Sequence, residues 1–204
     1  MINFIIIIIM IASIIIIQKY VRRWLIMKKI LIPSSYYQTK IWRLNRYWYK
    51  NGKFNECEKY QLNMLEKILK IKILKTQYRL NIETLELSNI IKPLNLDNGY
   101  EYTENFDGVY NNIYFNLKMV CDNGGHQTRT LREVYHFIKS QFEFLLKTKQ
   151  KIFFINILEG DTCYNNMNKF NYLKNNIKYK EIIKQVFIGD LKLFQCHFQE
   201  YIQL

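Results

Sequence analysis

The feature that most restricts the fold is an alternation of strand-like and helix-like segments in the second half of the chain. Residues 152–158 form an apolar run of the length expected for a central strand that is buried on both faces. Before it, residues 131–146 repeat their apolar side chains at helical spacing. This order predicts an α/β domain over residues 81–204, with a mixed β-sheet flanked by helices, and argues against a helical bundle or a β-sandwich.

The other segments of this domain follow from the same kind of pattern. Residues 100–110 and 113–120 are typical of two strands, and Asn111 and Asn112 between them suit a tight hairpin turn because asparagine tolerates the left-handed conformation. On that register Tyr110 faces Ile113. We also expect a helix over about residues 56–76, a helix capped by Asp161 or Thr162 that runs to about residue 175, and a last short strand over residues 185–188.

Positive charge is concentrated in one part of the chain. The net charge is +13, and residues 18–80 hold sixteen of the Lys and Arg residues against three acids, so the rest of the chain is neutral. The basic arm, residues 21–80, also contains all three tryptophans, Trp24, Trp42 and Trp48. Cations and aromatic rings suit nucleic acid, where they contact phosphates and stack on bases. They suit an anionic membrane surface equally well, and a solvated face with buried rings is the third interpretation.

The chain begins with a hydrophobic leader, residues 1–20. The apolar run from Ile2 to Ile17 would be about 24 Å long as a helix, slightly short of the ~30 Å hydrocarbon core of a membrane. No positive charge precedes it, which argues against a secretory signal. The run predicts either a membrane anchor, with residues 19–204 on the cytoplasmic side, or a low-complexity leader. The scattered cysteines favour an intracellular protein with reduced thiols.

The predicted hairpin brings three polar side chains together. Counting outward from the turn pairs Asp107 with Asn116, and Lys118 shares the same face, diagonal to Asp107. The opposite face of the second strand is apolar. Burying an acid and a lysine is costly unless they pair or bind an ion. The hairpin therefore predicts a polar site.

The residues Asn105-Phe106-Asp107-Gly108-Val109 and Ile113-Tyr114-Phe115-Asn116-Leu117-Lys118 resemble the PD-(D/E)xK nuclease superfamily, and especially its type II restriction endonucleases. The resemblance covers about residues 100–190 and implies a restriction-endonuclease-like core, DNA as partner and Mg²⁺ as cofactor. It makes Asp107 a metal ligand and Lys118 the catalytic lysine; a homodimer is compatible with it. Asn116 departs from the family pattern, because it replaces an acid and an amide is a weaker Mg²⁺ ligand. Asp122, as a metal ligand, or Glu133 would have to substitute.

The segment between the hairpin and the predicted helix also contains several residues of the types found in binding sites. Gly124 and Gly125 would let the backbone approach a ligand at a helix N-terminus. Arg129, Arg132 and His136 would form a polar stripe that contacts nucleic-acid phosphates. Glu133 would belong to that stripe or, with Thr130, to a capping box.

Three function hypotheses remain open on the sequence. The first is a DNA-binding, endonuclease-like protein with a degenerate active site. The alternative is a non-enzymatic, membrane-anchored protein with a basic juxtamembrane arm, and the third is an inactive nuclease relative that is retained for binding. Glu159-Gly160-Asp161 ends the predicted central strand, where open α/β sheets often bind ligands, but a helix cap is the simpler explanation of Asp161. Gly189-Asp190 suits a turn, and Cys196 and His197 belong to no constellation.

Overall fold

Four strands form the main sheet of the protein. A computed structural model describes residues 44–45, 56–89, 103–121 and 125–201, without the side chains of 199–201. The helices are α1 (Glu56–Leu69), α2 (Gly125–Thr148), α3 (Asp161–Asn165), α4 (Met167–Lys174) and α5 (Leu191–Tyr201), and short 3₁₀ turns cover Ile177–Tyr179 and Ile183–Gln185. The strands are β1 (Arg79–Asn81), β2 (Leu87–Ser88), β3 (Thr103–Asn105), β4 (Gly108–Tyr110), β5 (Ile113–Met119), β6 (Phe153–Glu159) and β7 (Val186–Gly189).

The main sheet has the order β4-β5-β6-β7. Strand β4 is antiparallel to β5, whereas β5, β6 and β7 are parallel. Helix α2 packs on the face that carries Tyr114, Phe154 and Val186. Helix α5 covers the opposite face, where the Phe187 and Phe194 rings lie 5.0 Å apart. The predicted mixed sheet flanked by helices is therefore confirmed for the described residues.

The hairpin register is as predicted from the sequence. Tyr110 pairs with Ile113 and Gly108 pairs with Phe115 across the Asn111–Asn112 turn, and Asn111 has a left-handed φ of 52°. The first strand, however, is not continuous. Thr103–Asn105 forms β3 and joins β1 in a second sheet of order β2-β1-β3. Residues 100–102 of the predicted strand lie outside the described residues.

Phe106 explains why this strand divides. Its ring is buried among three others, with centroids 5.2 Å from Tyr114, 5.1 Å from Phe137 and 5.4 Å from Phe154. To place that ring in the core, the chain passes from one sheet to the other at Phe106–Asp107: the Phe106 N–H donates to the Tyr78 carbonyl, and the Asp107 N–H donates to the Phe115 carbonyl.

Several helix boundaries differ from the predicted ones. Helix α2 begins at Gly125, six residues earlier than predicted. Its first turns are polar, so they lack the apolar stripe from which the helix was predicted. The capping box is therefore wrong: Thr130 lies inside the helix and its hydroxyl donates to the His126 carbonyl. The predicted cap at Asp161 or Thr162 is also wrong, since the cap is Gly160, which has φ 101° and no side chain. The helix beyond it divides at Asn166 into α3 and α4.

The N-terminal predictions fall mostly outside the described residues. This applies to the leader, residues 1–20, and to most of the basic arm. Of the arm, residues 44–45 and 56–80 are described. Its helix α1 ends at Leu69 instead of residue 76 and is followed by Lys70 with φ 58°. Among the residues that the structure describes, none belongs to a helix that is both long and apolar enough to cross a membrane.

Candidate functional site

Asp107 and Lys118 are electrostatically coupled on the hairpin. Burial raises the pKa of Asp107 to about 6, against the opposing effects of the Lys118 ammonium and of the Leu117 N–H, which donates to Oδ2 at 2.6 Å. Burial also lowers the pKa of Lys118, but the carboxyl groups of Asp107 and its neighbours outweigh burial and raise it. The Lys118 ammonium lies 3.4 Å from Glu104 Oε1. Asp107 and Lys118 are therefore close enough to influence each other's pKa, while their roles as metal ligand and catalytic lysine stay predictions.

Asn116 has a different set of partners from the one that the nuclease pattern implies. Its side chain is fully buried, and its Nδ2 donates to Asn156 Oδ1 on β6 at 2.9 Å. The Gln141 amide on α2 donates to the same oxygen at 3.0 Å and accepts from Asn156 Nδ2 at 2.8 Å. Asn116, Asn156 and Gln141 thus form a buried amide network that ties β5, β6 and α2 together.

The described hairpin side chains do not form the oxygen-rich coordination shell that Mg²⁺ requires. One carboxylate oxygen of Asp107 accepts from the Leu117 N–H, and the amide nitrogen of Asn116 is directed at Asn156. The described residues contain no group of three or more His, Cys, Asp or Glu side chains placed to hold a metal. Glu133 pairs with Arg129 at 3.1 Å on α2. Asp122 and Gly124 lie outside the described residues, so the magnesium site stays a prediction.

The polar stripe on α2 divides into two parts. Arg129 is neutralised by Glu133 on the exposed surface, whereas Arg132 and His136 line a cavity between α2 and α4. Gly125 is the first residue of α2, and a Cβ atom added there would meet nothing within 4 Å. Of the residues that the sequence proposed for nucleic-acid contact, Arg132 and His136 are therefore the two that the fold places around a common space.

We call this space the α2–α4 cavity. Its volume is about 560 Å³, and none of the described residues that line it is acidic. Its lining consists of two cations, one imidazole, three aromatic rings, two amides and two smaller side chains: Arg132, Lys169, His136, Tyr135, Phe170, Tyr172, Asn166, Asn168, Thr128 and Leu131. The described lining therefore carries two positive charges and no negative one.

Neither cation of this cavity is neutralised by another described side chain. Arg132 makes no ion pair within the described part of the chain. Lys169 donates from Nζ to the Asn166 Oδ1 at 2.8 Å, but that partner is uncharged. Tyr172 stands beside them with 69% of its surface exposed. The cavity therefore offers charge and an aromatic ring to a ligand.

A second cavity lies at the carboxyl ends of β6 and β7, and we call it the sheet-edge cavity. Its volume is about 420 Å³, and its lining includes Glu159, Gly160, Gly189, Asp190 and, from α5, Cys196 and His197. Open α/β sheets commonly bind ligands at this edge. The sequence indicates a ligand site here only at the end of the central strand, where a helix cap is the simpler explanation, and it does not connect that strand end with Asp190, Cys196 or His197. The sequence feature that could have indicated this site is an acid next to a glycine at the end of each of two successive strands, Glu159-Gly160 and Gly189-Asp190.

Glu159 is the buried acid of the sheet-edge cavity. Burial raises its pKa to about 8, and Asp190 adds to the effect, while hydrogen bonds from the Gln61 amide (3.0 Å) and the Leu191 N–H oppose it. Burial also raises the pKa of Asp190, against the N–H of Leu193, which donates to Oδ1 at 2.7 Å. Glu159 is consequently protonated at neutral pH.

The comparisons with known proteins add no relative. No protein-family model, curated protein or solved structure matches this chain.

Proposed function

We propose that this chain is a DNA-binding protein that contacts phosphates through the α2–α4 cavity. The observation that carries the proposal is the acid-free lining in which Arg132 and Lys169, from two different helices, have no acidic partner among the described residues. Cations in such a setting replace the counterions that surround nucleic-acid phosphates. The basic arm supplies sequence-independent phosphate affinity in the same way.

Salt dependence tests this proposal. Each phosphate contact that is removed should reduce the slope of log K against log[salt] by about 0.9 for duplex DNA. Arg132→Gln and Lys169→Gln should each weaken DNA binding and flatten the slope by about that amount. Arg129→Gln is the matched control, because this arginine lies on the same helix but is already neutralised by Glu133.

The measurement is a fluorescence-anisotropy titration of the full-length protein with a labelled duplex at several salt concentrations. Equal slopes for Arg132→Gln, Lys169→Gln and the unmodified protein would contradict the assignment to the cavity. Anionic vesicles provide a second arm: binding to vesicles together with no binding to DNA would favour the membrane-anchored alternative, in which the arm lies on lipid headgroups.

Endonuclease activity is the second candidate function, and the coupling of Asp107 with Lys118 favours it. A lysine beside a carboxylate can stabilise the negative charge that develops on a phosphate during hydrolysis. In this arrangement Lys118 would hold the phosphate, whereas the position of the missing acid is occupied by Asn116. Cleavage by the unmodified chain would then depend on an acid outside the described residues, for which Asp122 is our candidate.

A further inference from the structure

We infer that the α2–α4 cavity takes one unpaired nucleotide, so that the chain prefers single-stranded DNA over duplex. This inference rests on the proposed function and specifies its substrate. The cavity, at about 560 Å³, is within the range of roughly 300–1,000 Å³ in which proteins hold small ligands. A duplex can offer its phosphates to this cavity but not its bases, because each base in a duplex is covered on both faces by its neighbours. A splayed base exposes its ring for stacking.

The aromatic side chains supply the stacking surface. Tyr172 is 69% exposed on α4, and an exposed ring beside a cavity is available to a base. Tyr135 forms a more rigid wall on α2, since its ring centroid lies 6.0 Å from that of Phe170 and 5.7 Å from that of His136. Stacking on such rings contributes strongly to single-strand binding and tolerates every base.

The two cations are placed to hold the phosphate that accompanies the base. Arg132 comes from α2 and Lys169 from α4, so they approach the cavity from its two helical walls. An arginine can donate two parallel hydrogen bonds to one phosphate, and a lysine acts as a point charge. A phosphate held by both Arg132 and Lys169 would place the attached base against the aromatic rings of the same cavity.

The amides of the cavity are largely committed to the protein. Asn166 donates to the Thr162 carbonyl at 2.9 Å and accepts from Lys169 Nζ. Asn168 Oδ1 accepts from the Lys169 N–H at 3.0 Å. The oxygen of each amide is therefore already occupied by a donor of the protein. We expect the site to bind unpaired nucleotides with little dependence on sequence.

A comparison of single-stranded and duplex DNA tests the inference. The full-length protein is titrated with a labelled thymidine oligonucleotide and with a blunt duplex of equal length at one salt concentration. We expect tighter binding of the single strand. Tyr172→Ala should weaken single-strand binding by roughly 5- to 150-fold, the loss of one stacked base, and should leave duplex binding unchanged. Tyr172→Phe keeps the ring and should keep the affinity.

Tyr164→Ala is the matched control, because this tyrosine is also exposed but lines the sheet-edge cavity. It should leave both affinities unchanged. If Tyr172→Ala binds the single strand as well as the unmodified protein does, the inference is overturned while the proposed DNA binding stands. If the unmodified protein binds neither oligonucleotide, the proposed function itself fails. Thermal melts of each variant confirm that its fold is retained.

Discussion

Asn116→Asp should lower the free energy of unfolding by about 3 kcal/mol at pH 7, because a buried carboxylate without a partner costs that much or more. In the folded protein the amide of Asn116 donates to Asn156 Oδ1. A carboxylate at this position would face that oxygen and lose the hydrogen bond. Urea unfolding followed by circular dichroism measures the change. Asn116→Leu removes the same hydrogen bond without adding charge, and its smaller loss is the control.

The same variant separates DNA binding from endonuclease activity. If the hairpin is a degenerate nuclease site, the new carboxylate would complete it, and millimolar Mg²⁺ should restore stability and raise the nicking of supercoiled plasmid. Lys118→Ala in that background should then abolish nicking. A variant that neither recovers stability with Mg²⁺ nor cleaves DNA would exclude the hairpin as the active site and leave binding as the function.

Stability should fall as the pH rises from about 5 to about 8, and Glu159 should cause most of the fall above pH 6. The pKa of this acid is about 8 in the folded protein, against an ordinary value of 4.5. The folded state therefore holds a proton that the unfolded state has released, so raising the pH favours unfolding. With about 1.36 kcal/mol per pKa unit, the total effect is on the order of 3–5 kcal/mol.

Glu159→Gln should remove this slope between pH 6 and 8, because glutamine has no proton to lose and still offers an oxygen to Gln61. Asp107, with a pKa of about 6, should keep a smaller slope at lower pH in the same direction. Urea unfolding at pH 5, 6, 7 and 8 measures both effects. Glu133→Gln, on the exposed surface of α2, is the control. A pH slope that is equal in the Glu159→Gln variant and the unmodified protein would contradict the burial of Glu159.

The hairpin shows how much local patterns can establish. Its two-residue turn fixes the pairing of every residue that follows, so the partners of Gly108 and Tyr110 could be counted from the sequence alone. The coupling of Asp107 with Lys118 follows from that count. Arg132 and His136 could likewise be placed on one side of α2 from their spacing. Short-range geometry is sufficient for such predictions.

Long-range partners were not predictable in the same way. The sequence places Asn116 in the predicted nuclease site, in the position of the family's acid. Its actual partner, Asn156, is forty residues away and becomes its neighbour only through the parallel pairing of β5 and β6. An asparagine inside the apolar run of residues 152–158 was the signal that a buried amide partner existed. Glu159 and Asp190 also meet only because β6 and β7 are parallel. The spacing of Arg129 and Glu133 allows an ion pair on one helix face, but whether the pair forms depends on the side-chain conformations.

Mapping where DNA touches the protein tests the central claim most directly. The full-length protein is crosslinked by ultraviolet light to a thymidine oligonucleotide, and the crosslinked peptides are identified by mass spectrometry. The α2–α4 cavity predicts adducts on Tyr172 or Tyr135, which are reduced by Arg132→Gln and unaffected by Arg129→Gln. Adducts confined to the sheet-edge cavity or to the basic arm, with none on α2 or α4, would contradict it.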